Sequence, residues 1–124
     1  MGSLDQATLS ADERTVLERF VDTLHLRLGD ELDAVWLFGS RARGERVTAL
    51  SDVDVLVIAK DATWSGSTRI HEALHDVAHE VALSKVAWAF SVHVHDSSWI
   101  DQRRAIESFF VAEVDRDHID LTPA

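Results

Sequence analysis

Between Val35 and Ile58 two apolar runs of strand length enclose a polar loop. The first run is Val35-Trp36-Leu37-Phe38, the loop opens Gly39-Ser40-Arg41-Ala42-Arg43-Gly44-Glu45, and the second run is Asp52-Val53-Asp54-Val55-Leu56-Val57-Ile58. This stretch constrains the chain more than any other, because the second run begins with two carboxylates one residue apart. Side chains two apart on a strand share a face, so a strand from Asp52 to Ile58 presents Asp52 and Asp54 together, across from the Gly39-Ser40 turn. Two like charges at close range repel, and a cation between them, or an exposed position, relieves that cost. Glycine at position 39 permits positive φ and close approach of the backbone to a ligand. Ser40 offers a hydroxyl and an amide, and Arg41 and Arg43 offer forked donors that match phosphate. Carboxylates and phosphates together are the usual ligands of Mg²⁺. The pattern therefore predicts a phosphate-binding turn facing a magnesium site on Asp52 and Asp54.

The remaining periodicity supplies the frame. Ser10-Ala11-Asp12-Glu13 is a capping box, and a helix is expected from there to Leu28, ended by Gly29. Its apolar stripe is Val16, Leu17, Phe20, Val21, Leu24 and Leu28. Strands are expected over Asp33–Phe38, Asp52–Ile58 and Val86–Val94. A loop over Lys60–Gly66 holds Trp64, and Ser67 caps a helix reaching Leu83. A further helix is capped by Asp96, Ser97 or Ser98, with a break near Ser108, and Ile119-Asp120-Leu121 forms a short edge strand. That order gives an α/β class, a small mixed β-sheet flanked by helices. Residues 1–9 read as a loose leader and residues 10–124 as one domain, the count that 124 residues favour. Trp36 and Trp88 fall in expected strands and are assigned to the core. Trp99 anchors its helix, and Trp64 is assigned to loop packing.

Composition narrows the function. The net charge is −10, which repels nucleic-acid backbones and anionic membranes, so no long nucleic acid is expected as substrate. Arg41, Arg43 and Arg46 make a local basic spot suited to a small anion, with Arg46 read as a solvated loop charge. No apolar run approaches the roughly 20 residues that cross a bilayer, and no membrane association is expected. Cysteine is absent, and the N-terminus lacks the basic and apolar regions of a signal peptide. A cytoplasmic location is the expectation.

Gly39-Ser40, followed after eleven residues by Asp52-Val53-Asp54, resembles the signature of the nucleotidyltransferase superfamily related to DNA polymerase beta. The fuller strings Phe38-Gly39-Ser40-Arg41-Ala42-Arg43-Gly44-Glu45 and Ser51-Asp52-Val53-Asp54 resemble its small stand-alone branch, the minimal nucleotidyltransferases, which includes antitoxins paired with HEPN-domain toxins. The resemblance implies the polymerase beta-like fold. It assigns Gly39 and Ser40 to the phosphates of ATP or another nucleoside triphosphate, and Asp52 and Asp54 to catalysis and to one or two Mg²⁺ ions. It implies transfer of a nucleoside monophosphate, AMP foremost, to a hydroxyl of a partner protein such as a HEPN-type toxin. Self-association stays open. Family members that transfer nucleotides usually carry a third carboxylate on the next strand. Here that strand reads Trp88-Ala89-Phe90-Ser91-Val92-His93-Val94-His95, with Ser91 or His93 at the corresponding position. The imidazole of His93 is able to accept a proton, or it is simply a polar residue on a half-exposed strand. A catalytically degenerate antitoxin that works by binding alone is therefore the alternative. Antibiotic nucleotidylation is a weaker one, since an acceptor-binding domain is not evident.

A competing pattern is His71-Glu72-Ala73-Leu74-His75, which matches the H-E-x-x-H motif of zinc proteases, with His79 continuing the ridge. Two histidines four apart can grip a metal. The interleaved Ala, Leu and Val follow an ordinary amphipathic pattern, and the ridge is read as the flank of a packing helix.

Overall fold

A computed structural model describes residues 4–106 and 108–123. Helix α1 runs Ala11–Leu28. Its first turn closes on the expected capping box: the Glu13 amide donates to Ser10 Oγ at 3.1 Å, and the Ser10 amide donates to Glu13 Oε1 at 2.8 Å. All six residues of the apolar stripe are buried. Ahead of α1, a 3-10 turn spans Leu4–Gln6. In the segment read from sequence as a loose leader, Leu4, Ala7 and Leu9 pack against the core; residues 1–3, like 124, lie outside the described part of the chain.

Strand β1 (Leu32–Phe38) leads directly into a single helical turn, α2 (Gly39–Ala42). Strand β2 (Val53–Ala59) pairs antiparallel with β1, with Phe38 opposite Asp54 and Trp36 opposite Leu56. Helix α3 (Trp64–Glu80) follows, then β3 (Phe90–His95), which lies parallel to β2 with Ser91 opposite Asp54. Helices α4 (Ser97–Ala105) and α5 (Phe109–Asp117) and the short strand β4 (Ile119–Asp120) complete the chain. The sheet order is β3-β2-β1-β4, with β4 antiparallel to β1. It is the mixed sheet with flanking helices that the sequence predicts, consistent with the polymerase beta-like fold that the resemblance implies.

The two faces of the sheet bury different sets. Val35, Leu37, Val53, Val55 and Val57 join the stripes of α1 and α3 in the main core. On the other face Phe38, Leu56 and Ile58 pack with Ile100, Val111 and Val114 of α4 and α5. Asp54 shares that second face by period, as do Ser91 and His93.

Two local readings are corrected. Helix α3 starts at Trp64, capped by Thr63, whose Oγ1 accepts from the Gly66 amide at 3.4 Å. Trp64 is thus in a first helical turn, and it is 85% exposed. Residues 84–89 form a 3-10 turn instead of extending β3. Trp88 therefore stands off the sheet and is 80% exposed, not core. Along β1, Ala34 and Trp36 are only partly covered. Trp36 stacks on His118 with centroids 4.4 Å apart. The expected helix cap is Asp96, whose Oδ1 accepts from the Trp99 amide at 2.9 Å.

Phe20 has no exposed surface, and its truncation to alanine removes a large buried ring. Phe20→Ala is expected to cost about 3–5 kcal/mol in urea unfolding. Trp88→Ala is expected to stay within about 0.5 kcal/mol of the parent, whereas a core position for Trp88 requires a loss like that of Phe20.

Candidate active site

The site is set by how β1 ends. Phe38 is the last β1 residue paired with β2, and the chain then turns sharply through Gly39, whose φ is +77°. A Cβ at this position would overlap Asp54 Oδ2 and stand 3.3 Å from its Cγ. Two facts thus require glycine: a left-handed backbone angle and a carboxylate pressed against the Cα. The Gly39–Ser40 turn and Asp54 are brought into direct contact, as the sequence predicts. Ser40 lies half-buried in the first turn of α2, where backbone amides lack intrahelical acceptors.

Asp54 is half-buried, while Asp52 is exposed and lies one residue before β2 begins. Burial pushes the Asp54 carboxyl above the usual carboxylate range. His93 opposes this, the charge of Asp52 adds to it, and Arg41 and Arg43 oppose it in turn. Asp52 and Asp54 therefore feel one another, although they are not both on the strand as expected.

The register places Ser91, not His93, opposite Asp54; His93 is one strand pair further along, opposite Leu56. Ser91 Oγ lies 3.2 Å from His93 Nε2. The His93 ring rests against Phe38 and Phe110, with centroids 5.5 Å and 6.2 Å away. No Asp or Glu of β3 faces Asp54. Among the described residues no group of three or more His, Cys, Asp or Glu side chains is placed to hold a metal ion. That applies equally to the ridge on α3. His71 there is turned to its own helix, with Nδ1 2.8 Å from the Ser67 carbonyl, and His75 and His79 are exposed.

The two arginines expected as phosphate forks are placed differently. Arg41 is 4% exposed, and its guanidinium is committed inward. Nη1 donates to Glu13 Oε1 at 2.7 Å and to the Thr8 carbonyl at 3.1 Å. Nη2 donates to Glu13 Oε2 at 3.1 Å and to the Ser51 carbonyl at 3.0 Å, and Nε reaches the same carbonyl at 3.3 Å. These bonds use all five donors of a guanidinium, so none remains for a phosphate. Burial pushes the Glu13 carboxyl up, but hydrogen bonds from Arg41 and the Ser10 amide, with the charge of Arg41, outweigh it and leave the group below the usual range. Glu13, Thr8 and Ser51 are the neighbours that sequence reasoning missed. The capping box announced Glu13 as a helix residue, but nothing in the sequence ties it to position 41.

Arg43 is more open. It pairs with Glu45 and lies 3.8 Å from Asp117 at the end of α5. A cleft of about 730 Å³ beside it is lined by Gln6, Ala42, Arg43, Arg116, Asp117 and His118, among others. Its lining does not include Asp52 or Asp54, so the cleft is a neighbour of the carboxylate pair and not its enclosure.

The family model described as "Polymerase beta, Nucleotidyltransferase" matches residues 23–96, a span from the last turns of α1 through β3. The chain is also 42% identical over 65 residues to a Methanocaldococcus jannaschii protein named "Putative protein adenylyltransferase". The aligned stretch is 52% of this chain and 43% of that protein, so the chain spans under half the length of this relative. No solved structure matches the chain.

Two outcomes follow from the geometry alone. The folded-state pKa of Asp54 is raised, so the folded protein holds this proton more tightly than the unfolded chain does. Its contribution to stability therefore falls as pH rises through the unfolded and then the folded pKa. Asp54→Asn is expected to raise Tm at neutral pH in buffer without divalent cations, and the gain should shrink as the pH is lowered through the carboxylate range. Gly39→Ala is expected to destabilise by at least about 1–2 kcal/mol for the left-handed angle, measured by denaturant unfolding, and to displace the Asp54 side chain.

Proposed function

Because the chain belongs to the polymerase beta nucleotidyltransferase family, we propose that it transfers a nucleoside monophosphate, AMP from ATP, to a hydroxyl of a partner protein. The single observation that carries this reading is the contact between the Gly39 turn and the Asp54 carboxylate, with Asp52 beside it. A triphosphate held by the turn has its charged tail next to two hard oxygen ligands. The donor set suits Mg²⁺. Asp54 is half-buried and repelled by Asp52, a cost that a divalent ion offsets. When bound, the ion supplies charge neutralisation at the transferring phosphate.

The chain's own residues then divide the work. Gly39 lets the backbone approach the phosphates, and Ser40 donates its amide and hydroxyl to their oxygens. Asp52 and Asp54 hold the cation. Arg43, at the edge of the site and partly exposed, is the arginine left to meet the triphosphate, in exchange for its pairing with Glu45 and Asp117. The printed name of the M. jannaschii relative supports protein as the acceptor and adenylate as the group. The resemblance to antitoxins supports a HEPN-type toxin as the partner.

A second reading has its own support. Ser91 is the β3 residue opposite Asp54, and no acid on β3 is available to take the acceptor's proton. A domain so equipped neutralises its partner by forming a complex, with nucleotide bound and no transfer.

Labelled ATP, Mg²⁺ and the product of the neighbouring gene separate the two. Transfer predicts label on the partner, reduced about 10²-fold or more in Asp54→Ala, equivalent to roughly 3 kcal/mol of transition-state stabilisation. A stable complex that leaves the partner unlabelled contradicts transfer and supports the binding module.

A further inference from the structure

We infer that Arg41 is a positioning residue, a buried clasp that fastens the backbone in front of Asp52 to the first turn of α1. The inference rests on the reading of Asp52 and Asp54 as cation ligands.

The need for a clasp is visible in the strand pairing. Ladder contacts of β2 start at Val53 and Asp54, so Asp52 lies outside the sheet. Before it the chain makes a turn in which the Ser51 amide donates to the Thr48 carbonyl at 3.2 Å and the Thr48 amide to Ser51 Oγ at 2.8 Å. This turn is held to itself and carries Leu50, which is 93% exposed. Among the described residues, the hydrogen bonds from Thr48–Ser51 to the rest of the chain come from Arg41, through Nε and Nη2 to the Ser51 carbonyl.

The other half of the same guanidinium is anchored in the frame. Glu13 is the third residue of α1, fixed by its bond from the Ser10 amide and only 14% exposed at its side chain. Thr8 is held from both directions, since its amide donates to the Arg41 carbonyl at 2.9 Å and its own carbonyl accepts from Nη1. Arg41 itself belongs to α2, the turn that carries Gly39 and Ser40. One side chain thus joins three segments far apart in sequence: the cap of α1, the glycine turn and the entry to β2. A planar fork with five donors does this in fixed geometry; a lysine ammonium has three donors and no fork. Supporting groups of this kind typically change metal affinity 10–100-fold when altered.

The test compares Arg41→Lys with Leu24→Ala, a core substitution in the second half of α1, each studied at the same interval below its own Tm. Two readouts are taken on the full chain: amide hydrogen exchange over residues 50–53 without ligand, and affinity for Mn²⁺ with ATP. Arg41→Lys is expected to speed exchange at those amides about tenfold or more and to weaken Mn²⁺–ATP binding about 10–100-fold. Leu24→Ala is expected to leave both near the parent values. Equal effects in the two variants, or unchanged exchange in Arg41→Lys, overturn the inference. Should Arg41→Lys fail to fold, Glu13→Gln replaces it, since glutamine preserves the capping box but removes the charge that orients the guanidinium. A faster exchange at residues 50–53 in that variant supports the clasp, and unchanged exchange overturns it. Faster exchange in a chain whose parent form binds no Mn²⁺–ATP supports the clasp and contradicts the function proposed above instead.

Discussion

The pairing of Phe38 with Asp54 across β1 and β2 decides how near the glycine turn comes to the acidic strand. With that register the chain leaves β1 at the level of Asp54, and Gly39 lies against the carboxylate so closely that no side chain fits between them. A slip by one residue would turn Asp54 to the face occupied by Val53 and Val55, which are fully buried. The apolar pattern therefore protects the site: Val35, Leu37, Val53, Val55 and Val57 must all face α1 and α3, and Asp54 is left on the face shared with Ser91 and His93. Packing of the core and placement of the acid are one constraint.

Two carboxylates near this turn are treated in opposite ways. Glu13 is covered but answered, by the forked arginine and a backbone amide, and its pKa falls. Asp54 is half-covered, crowded by Asp52, and its pKa rises. The first pattern is that of a structural ion pair. The second is that of a covered carboxylate whose desolvation outweighs the nearby positive charges, and the function proposed above reads it as a cation ligand. The same contrast separates the arginines. Arg41 spends its charge inside the fold, and Arg43 keeps its charge near the surface among acids that a phosphate could replace.

Much of this was legible in the sequence. The capping box, the stripe of α1, the glycine turn and the acidic strand follow local rules of period and backbone geometry, and the structure realises them. What was not legible depends on contacts between distant segments. Arg41 and Arg43 are two apart in the same string and carry the same fork, so composition cannot say that one is buried on Glu13 and the other is not. That Ser91 and not His93 lies opposite Asp54 depends on the parallel register of β3 against β2, which no local pattern encodes. Trp88 is assigned to the core because it falls in the strand expected over Val86–Val94, yet a 3-10 turn takes up the first residues of that segment. The H-E-x-x-H string has the spacing of a metal site, but its histidines line the outer flank of α3 with no third ligand among the described residues.

The claim on which the functional reading turns is that the glycine turn and the two aspartates form one site for a cation and a triphosphate. Amide NMR of the protein with substoichiometric Mn²⁺ and ATP tests it most directly, since the paramagnetic ion broadens only nearby signals. The account predicts selective loss of the Gly39, Ser40, Asp52 and Asp54 amides, with those of His75 and His79 retained. Broadening of the α3 histidines while the turn and the aspartates stay sharp would contradict it.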